Sequence, residues 1–314
     1  MLEKFLTLNK ISFEKNVSLS TKTWLKTGGD VDFWILPVSV DQLVDLVRFL
    51  KGHDLPFDIV GHTTNIYFRP NHHQGIIISV SKMNKYEVQD DFIVCDCGAS
   101  VAKISKVSVE QGFEGFYGLV NLPGTVGAAI INNSSCFQCS VSALLQKADV
   151  LFLQDLSVGQ LQYDDFNYSH HFSKFKFDKN IIVLRAYLKR EQGVADIEKE
   201  KARQVTLQRR MTQEPGAYTL GSVCSQFELR NNWQNFVARL LNKIFSIFSK
   251  NKNHLKYLLL KLYGYDELSP FVSNKTINTF IWLKGHSDID DIFQKYKEFL
   301  MRVYNNVHFE IEEK

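Results

Sequence analysis

Leu119-Val120-Asn121-Leu122-Pro123-Gly124-Thr125-Val126-Gly127-Ala128-Ala129 is the stretch on which the reading of this chain turns. Gly124 and Gly127 flank Thr125 and Val126, directly after a proline and ahead of the apolar run Ala128 to Ile131. Pro123 has no backbone N–H to donate, and the two glycines lack the Cβ atoms that would block close approach. Such a turn leaves several N–H groups pointing outward, where an anion can settle. The same residues also suit a tight turn packed against a neighbouring strand, so the meaning of the stretch depends on what lies around it.

Upstream, Val60-Gly61-His62-Thr63-Thr64-Asn65 is a second loop of similar promise. A glycine followed by hydroxyl and amide side chains, after a strand, can hold a phosphate. A plain polar turn uses the same residues. A helical pattern over Val101 to Gly112 separates the two loops and allows them to converge on one ligand.

Around these loops the periodicity sets the frame. Ser39 to Leu50 reads as a helix, with Ser39 as its cap and Leu43, Leu46, Val47 and Leu50 at i, i+3, i+4 and i+7. Strands at Phe33 to Leu36, Pro56 to Val60 and Ile76 to Val80 complete a small α/β lobe over residues 1–85. A second lobe, 86–205, carries strands at Ala148 to Leu153 and Ile181 to Leu188. The charged stretch 191–213 reads as a connector, and Pro215-Gly216 as a break, into a third lobe over 206–314. Asn235 to Leu260 reads as helical, with Phe236, Val237, Leu240, Leu241, Ile244, Phe245 and Phe248 on one face. That face is expected to pack as an insertion, about 233–262, rather than to lie on a membrane. An amphipathic helix over Asp288 to Tyr304 and a strand over Val307 to Ile311 follow.

Composition narrows the function classes. The chain has 314 residues, 45% hydrophobic and 23% charged, which suits a globular protein of two or three domains. A net charge of +3 argues against a dedicated nucleic-acid binder. No apolar run approaches the roughly 20 residues of a membrane span, and residues 1–10 contain no secretory h-region. Five cysteines, Cys95, Cys97, Cys136, Cys139 and Cys224, read as reduced cytosolic thiols. No partners at familiar spacing complete a zinc site around Cys136-x-x-Cys139, and adjacent His170 and His171 point different ways on any regular element. No metal is therefore expected.

Several further stretches, in order, resemble one family. Thr23-Trp24-Leu25-Lys26-Thr27-Gly28-Gly29 is similar to T-W-[FL]-[RK]-[TV]-G-G, and Gly61 to Asn65 stands where G-x-G-S-N belongs. Leu122 to Ala128 matches I-P-G-T-[VI]-G-G in all but its ends. Phe166-x-Tyr168 lies where F-x-Y-R-x-S-x-F-K is expected. Gly221-Ser222-Val223 matches the front of G-S-x-F-K-N, Val272-Ser273-Asn274-Lys275 with Asn278 resembles V-S-x-K-H-A-N-F, and Glu310-Ile311-Glu312 resembles L-E-P-E-V. The set resembles the flavin-dependent UDP-N-acetylenolpyruvoylglucosamine reductases, the MurB family of peptidoglycan precursor synthesis.

The resemblance implies an α+β protein: a two-lobe FAD-binding domain of the PCMH/VAO type plus a C-terminal α/β substrate-binding domain. It implies noncovalent FAD, NADPH as reductant, a nucleotide-sugar substrate and a cytoplasmic place of action. FAD is expected on Thr27, Gly28, Gly61, Thr63, Thr64, Asn65, Pro123, Gly124, Thr125, Val126 and Gly127. Ser222 is expected to donate a proton to the reduced enolpyruvyl group, with Glu312 as a second acid near its carboxylate. Tyr168, Lys275 and Asn278 are expected to bind substrate.

The sequence also departs from the family. Thr63 and Thr64 replace glycine and serine in the first loop, Asn132 to Cys136 replaces M-N-A-G-A, and Cys224-Ser225-Gln226 replaces F-K-N. The family arginine that holds the enol oxygen becomes Ser169 or, aligned from Phe175-Lys176, His171. Serine does not replace a guanidinium, whereas a protonated His171 substitutes weakly and with pH dependence. A paralogue acting on another nucleotide-sugar or another substrate, and a degenerate non-catalytic binding protein, therefore stand beside the reductase reading.

Overall fold

The computed structural model describes every residue except 71–73, 170, 215–217, 226–227, 249–253 and 284–287; in 245–248 and 254 the backbone alone is described. The expected Pro215-Gly216 break, His170 and Gln226 thus lie outside the described residues.

The chain divides into two compact units. One comprises Met1–Ser18, Asp30–Thr64 and His73–Leu207, and the other comprises Leu19–Gly29, Asn65–His72 and Gln208–Lys314. Each has its own apolar core.

In the first unit, strands Ser12–Ser18, Asp30–Leu36, Gln74–Ser79 and Asp58–Val60 form a four-stranded sheet in that spatial order. The first pair is antiparallel and the other two pairs are parallel. Helix Val40–Gly52 provides the crossover that parallel strands require. Its N-terminus is fixed as expected: the Ser39 hydroxyl accepts from the Gln42 amide, while Leu43, Val44, Leu46, Val47 and Leu50 are buried. Helix Leu2–Leu8 and strand Ser12–Ser18 were not among the expected elements.

A five-stranded antiparallel sheet follows in the same unit, ordered Val158–Gln162, Leu145–Phe152, Ile181–Lys189, Phe92–Asp96, Tyr86–Val88. Helix Val101–Glu110 starts at Ser100, whose hydroxyl accepts from Lys103. The short helix Val126–Asn132 then places the Leu119–Ala129 stretch: Val126 and Gly127 donate to Ala99 and Cys97 carbonyls at the end of Phe92–Asp96. The glycine turn therefore packs on a strand end, and its free side faces the other loop.

The second unit is mainly helical, with two-residue strand pairs. Helix Ile289–Val303 buries Ile289, Phe293, Tyr296, Phe299, Leu300 and Val303. The expected helix over 235–260 is instead two, Trp233–Phe248 and His254–Tyr263, separated by the Lys- and Asn-rich residues 249–253. Its apolar face packs only in part: Phe236, Leu240 and Ile244 are exposed, as is neighbouring Trp233, Val237 and Leu241 are half-buried, and the side chains of Phe245 and Phe248 lie outside the described residues, while Asn235 and Ala238 are buried. The expected strand Val307 to Ile311 is cut to His308–Phe309 and resumes as Glu312–Glu313, because the chain changes partner there. It first pairs antiparallel with Cys224–Ser225 and then parallel with Ile66–Tyr67.

Candidate functional site

Within the first unit the two loops meet. A Cβ on Gly61 would stand 2.3 Å from Thr125 Oγ1, so only glycine lets the first loop lie this close to the second. Gly124 holds φ +128, a conformation that side chains rarely adopt, and a Cβ there would stand 3.4 Å from Thr64 Oγ1. The His62 ring turns to the Gly124 carbonyl; burial lowers its pKa, and that hydrogen bond partly offsets the effect. Thr63 is buried at φ +56, the left-handed region that a β-branched residue enters at a cost on the order of 1 kcal/mol.

Val126 and Gly127 are buried at the helix start, and Pro123 is exposed at the lip. Thr125 is 1% exposed, and its hydroxyl has no partner among the described residues. At the other end of helix Val126–Asn132, Asn133 is buried at φ +45 with Oδ1 equally unpartnered. Its amide donates to Ser169 O at 2.7 Å and ties in the loop that carries Tyr168 and His171. Ser173 Oγ donates to Ile131 O at 2.7 Å, and Ser135 Oγ lies 3.3 Å from His171 Nε2. The Tyr168 ring stacks on Phe166 with centroids 5.3 Å apart, its hydroxyl is buried without a partner among the described residues, and burial raises its pKa well above the ordinary value. Buried polar atoms without partners are costly unless something satisfies them. Thr125 Oγ1, beside the Gly61 and Gly124 cradle, fits a polar group of a bound dinucleotide. Asn133 was not among the expected site residues, although it stands at the asparagine of the M-N-A-G-A pattern, just past an apolar helical run.

Cys136 and Cys139 oppose each other in the hairpin Ser135–Ser140, with Phe137 and Gln138 at positive φ in the turn, and neither is in a disulfide. Burial pushes Cys95 and Cys97 up to about 12, which suits apolar packing rather than thiolate chemistry. Among the described residues, no three His, Cys, Asp or Glu side chains gather as a metal site.

In the second unit, Thr23 Oγ1 donates to Thr27 O at 2.8 Å and accepts from Thr27 N, closing the turn. Thr27 Oγ1 is left buried and unpartnered among the described residues, and Gly28 lies against Leu19 and Phe68. Asn65 also belongs to this unit: its amide donates to Glu310 O at 3.0 Å, and its carbonyl accepts from Glu312 N.

Ser222 is exposed on a turn held from both sides. Asn278 Oδ1 accepts from the Cys224 amide and from its thiol, both at 2.9 Å, and Asn278 Nδ2 donates to Cys224 O. Val223 N donates to Asn278 O, and Glu310 N donates to Val223 O. Burial and the neighbouring Glu310 push the Cys224 thiol up to about 12. Asn278 is thus fully occupied in positioning the Ser222 turn. Lys275 Nζ is likewise engaged, donating to the Arg210 and Gln213 carbonyls at 2.5 and 2.6 Å. Glu312 is exposed, whereas Glu310 keeps a buried Oε1 without a partner among the described residues. Glu313 anchors the strand through Lys297 at 2.5 Å and Arg69 at 3.0 Å.

Comparison with known proteins points to a flavin-binding fold. The model of the FAD binding domain family matches residues 31–154, which include both loops. A UDP-N-acetylenolpyruvoylglucosamine reductase of Caldicellulosiruptor saccharolyticus is 28% identical over 225 residues, 70% of this chain and 71% of that protein. One of Latilactobacillus sakei is 29% identical over 223 residues, 71% and 73% of the two chains. The crystal structure of UDP-N-acetylenolpyruvylglucosamine reductase (MurB) from Thermus caldophilus superimposes with a TM-score of 0.68 at 16% identity, over 96% of this chain and 99% of that one, and so shares its fold. The chain is an FAD-binding flavoprotein of the oxidoreductase class, with an α+β fold. Within that class its sequence and fold are similar to those of the UDP-N-acetylenolpyruvoylglucosamine reductases (MurB).

Proposed function

We propose that this protein reduces the enolpyruvyl group of UDP-N-acetylglucosamine enolpyruvate to UDP-N-acetylmuramate, with NADPH as reductant, in the cytoplasmic assembly of peptidoglycan precursor. The observation that carries this reading is the Ser222 turn, fastened by Asn278 on one side and by the strand leading to Glu312 on the other. FAD, held by the Gly61–Thr64 and Pro123–Gly127 loops, supplies the hydride when bound.

The chain's own residues supply the rest. Reduction of a double bond next to a carboxylate leaves negative charge on the α-carbon, which needs a positioned proton donor. The Ser222 hydroxyl fills that role. A serine is a weak acid, so its task is to hold a proton at the right place, and Asn278 acts by keeping the turn fixed. Glu312 is the second acid beside the substrate carboxylate. His171, tied to Ser135, stands in for the family arginine at the enol oxygen and does so best when protonated. Tyr168 contributes a neutral hydroxyl, because burial keeps its proton on. Lys275 provides positive charge near the substrate from its seat on the Arg210 and Gln213 carbonyls.

An absorbance spectrum and anaerobic mixing test this reading. The purified protein is expected to be yellow and to be bleached by NADPH. Rapid recolouring should follow addition of the enolpyruvyl sugar nucleotide. A yellow protein that NADPH bleaches but that no addition of this substrate recolours overturns the substrate assignment while leaving the flavoprotein intact.

A further inference from the structure

Helix Trp233–Phe248 carries a feature that flavin chemistry does not use. Trp233, Phe236, Leu240 and Ile244 follow at intervals of three, four and four residues, which places them on one stripe of the helix. Their exposures are 65, 66, 49 and 43%, while Asn235 and Ala238 on the opposite side are 2 and 0%. Asn235 fixes that inner side, its amide donating to the Arg230 and Val303 carbonyls. The orientation is therefore set by buried contacts, and the large apolar side chains are held in water. Arg239 and Lys243, both exposed, run along one edge of the stripe.

The segment is equally one-sided in charge as a sequence, although Lys256 is buried with its Nζ donating to the Ser269 and Val272 carbonyls. Asn231 to Tyr265 contains Arg239, Lys243, Lys250, Lys252, Lys256 and Lys261 and no aspartate or glutamate. That segment alone outweighs the whole chain's net charge of +3. An exposed Trp/Phe/Leu/Ile stripe edged by cations is the pattern of a helix lying in a lipid interface. A second copy of this chain fits less well, since a twofold contact would set Arg239 and Lys243 against their own equivalents. No helix among the described residues is long and apolar enough to cross a membrane, so the contact is with its surface.

We infer that helix Trp233–Phe248 docks this protein on an anionic lipid surface, with Trp233, Phe236, Leu240 and Ile244 in the acyl boundary and Arg239 and Lys243 at the headgroups. The inference is independent of the proposed substrate.

Vesicle flotation of the full-length chain tests it. With phosphatidylcholine vesicles containing phosphatidylglycerol, the protein is expected to float at low ionic strength, and to do so less as salt rises. With phosphatidylcholine alone it is expected to stay in solution. Trp233 emission should shift to the blue on binding, and the shift should be absent in Trp233→Phe. Phe236→Gln with Leu240→Gln should weaken flotation about tenfold or more, with flavin absorbance and circular dichroism unchanged. The inference is overturned by any of four results: no flotation with phosphatidylglycerol, equal flotation of the double variant, conversion of a parent oligomer to monomer by that variant, or equally tight binding to soluble polyglutamate.

Discussion

The two compact units encode their recognisable features in different parts of the chain. In the first, the signature is written in backbone: Gly61 against Thr125, Gly124 at φ +128, and Thr63 forced to φ +56 where the family has glycine. In the second, it is written in side chains: Ser222 on its turn, Asn278 on Cys224, and Glu313 between Lys297 and Arg69. Backbone signatures survive substitution, since Thr63 takes up the glycine conformation at a cost. Side-chain signatures do not, which is why the motifs after Ser222 look eroded although the turn they support is intact.

Gly124→Val attacks the first signature and carries the largest expected effect. Valine is disfavoured at φ +128 and brings branches toward Thr64, so the purified variant is expected to hold no flavin. A fully yellow variant would remove this loop from the cradle. Ser222→Ala attacks the second. Flavin reduction by NADPH should continue, while the substrate half-reaction slows by about two to four orders of magnitude. Parent-rate turnover of the sugar nucleotide would make Ser222 a turn residue.

Asn278→Ala sharpens the distinction between positioning and structure. It leaves the Cys224 amide and carbonyl without partners and should cost about 1–3 kcal/mol in urea unfolding. It should slow the same half-reaction as Ser222→Ala without altering flavin reduction; slowed flavin reduction would place Asn278 elsewhere in the mechanism.

Glu313 offers a pH readout. Burial pushes its carboxyl up, but hydrogen bonds from Lys297, Arg69 and Gln294 more than offset this and leave it below its ordinary value. A carboxylate lowered in the folded state contributes stability above its unfolded pKa and loses it as pH falls through the folded one. Acid unfolding of the parent should therefore show a loss of about 1 kcal/mol in that window, and Glu313→Gln should lack it. Superimposable acid profiles would leave the ion pairs without weight. The smallest effect is expected from Phe236→Gln, within about 0.5 kcal/mol of the parent, because an exposed side chain leaves no cavity. Phe299→Ala on helix Ile289–Val303 should cost about 3–5 kcal/mol.

Those last two helices show how far the sequence can be read. Both present an apolar face at helical spacing, yet one face is buried and the other is in water. Periodicity reports that a face exists and not what covers it. The serine cap at Ser39 was legible because a cap is decided within four residues, whereas the cap at Ser100 was not read from the sequence. The convergence of the two loops was legible from strand and helix order. The exit of residues 19–29 and 65–72 into the second unit was not, because it depends on pairing between distant segments. The same holds for the roles of Asn65 and Asn278, whose amides act on residues far along the chain.

The fastening of Asn65 to Glu310 spans 245 residues, and strand Glu312–Glu313 lies on Ile66–Tyr67 in parallel. On a ribosome, the segment 65–69 emerges early and must wait for its partner until residues 310–313 follow. Closing so long a loop is slow, so the second unit is expected to mature after the first and to be the rate-limiting step of folding. During that interval Tyr67 and Phe68, later fully buried, are open to chaperones and to other chains.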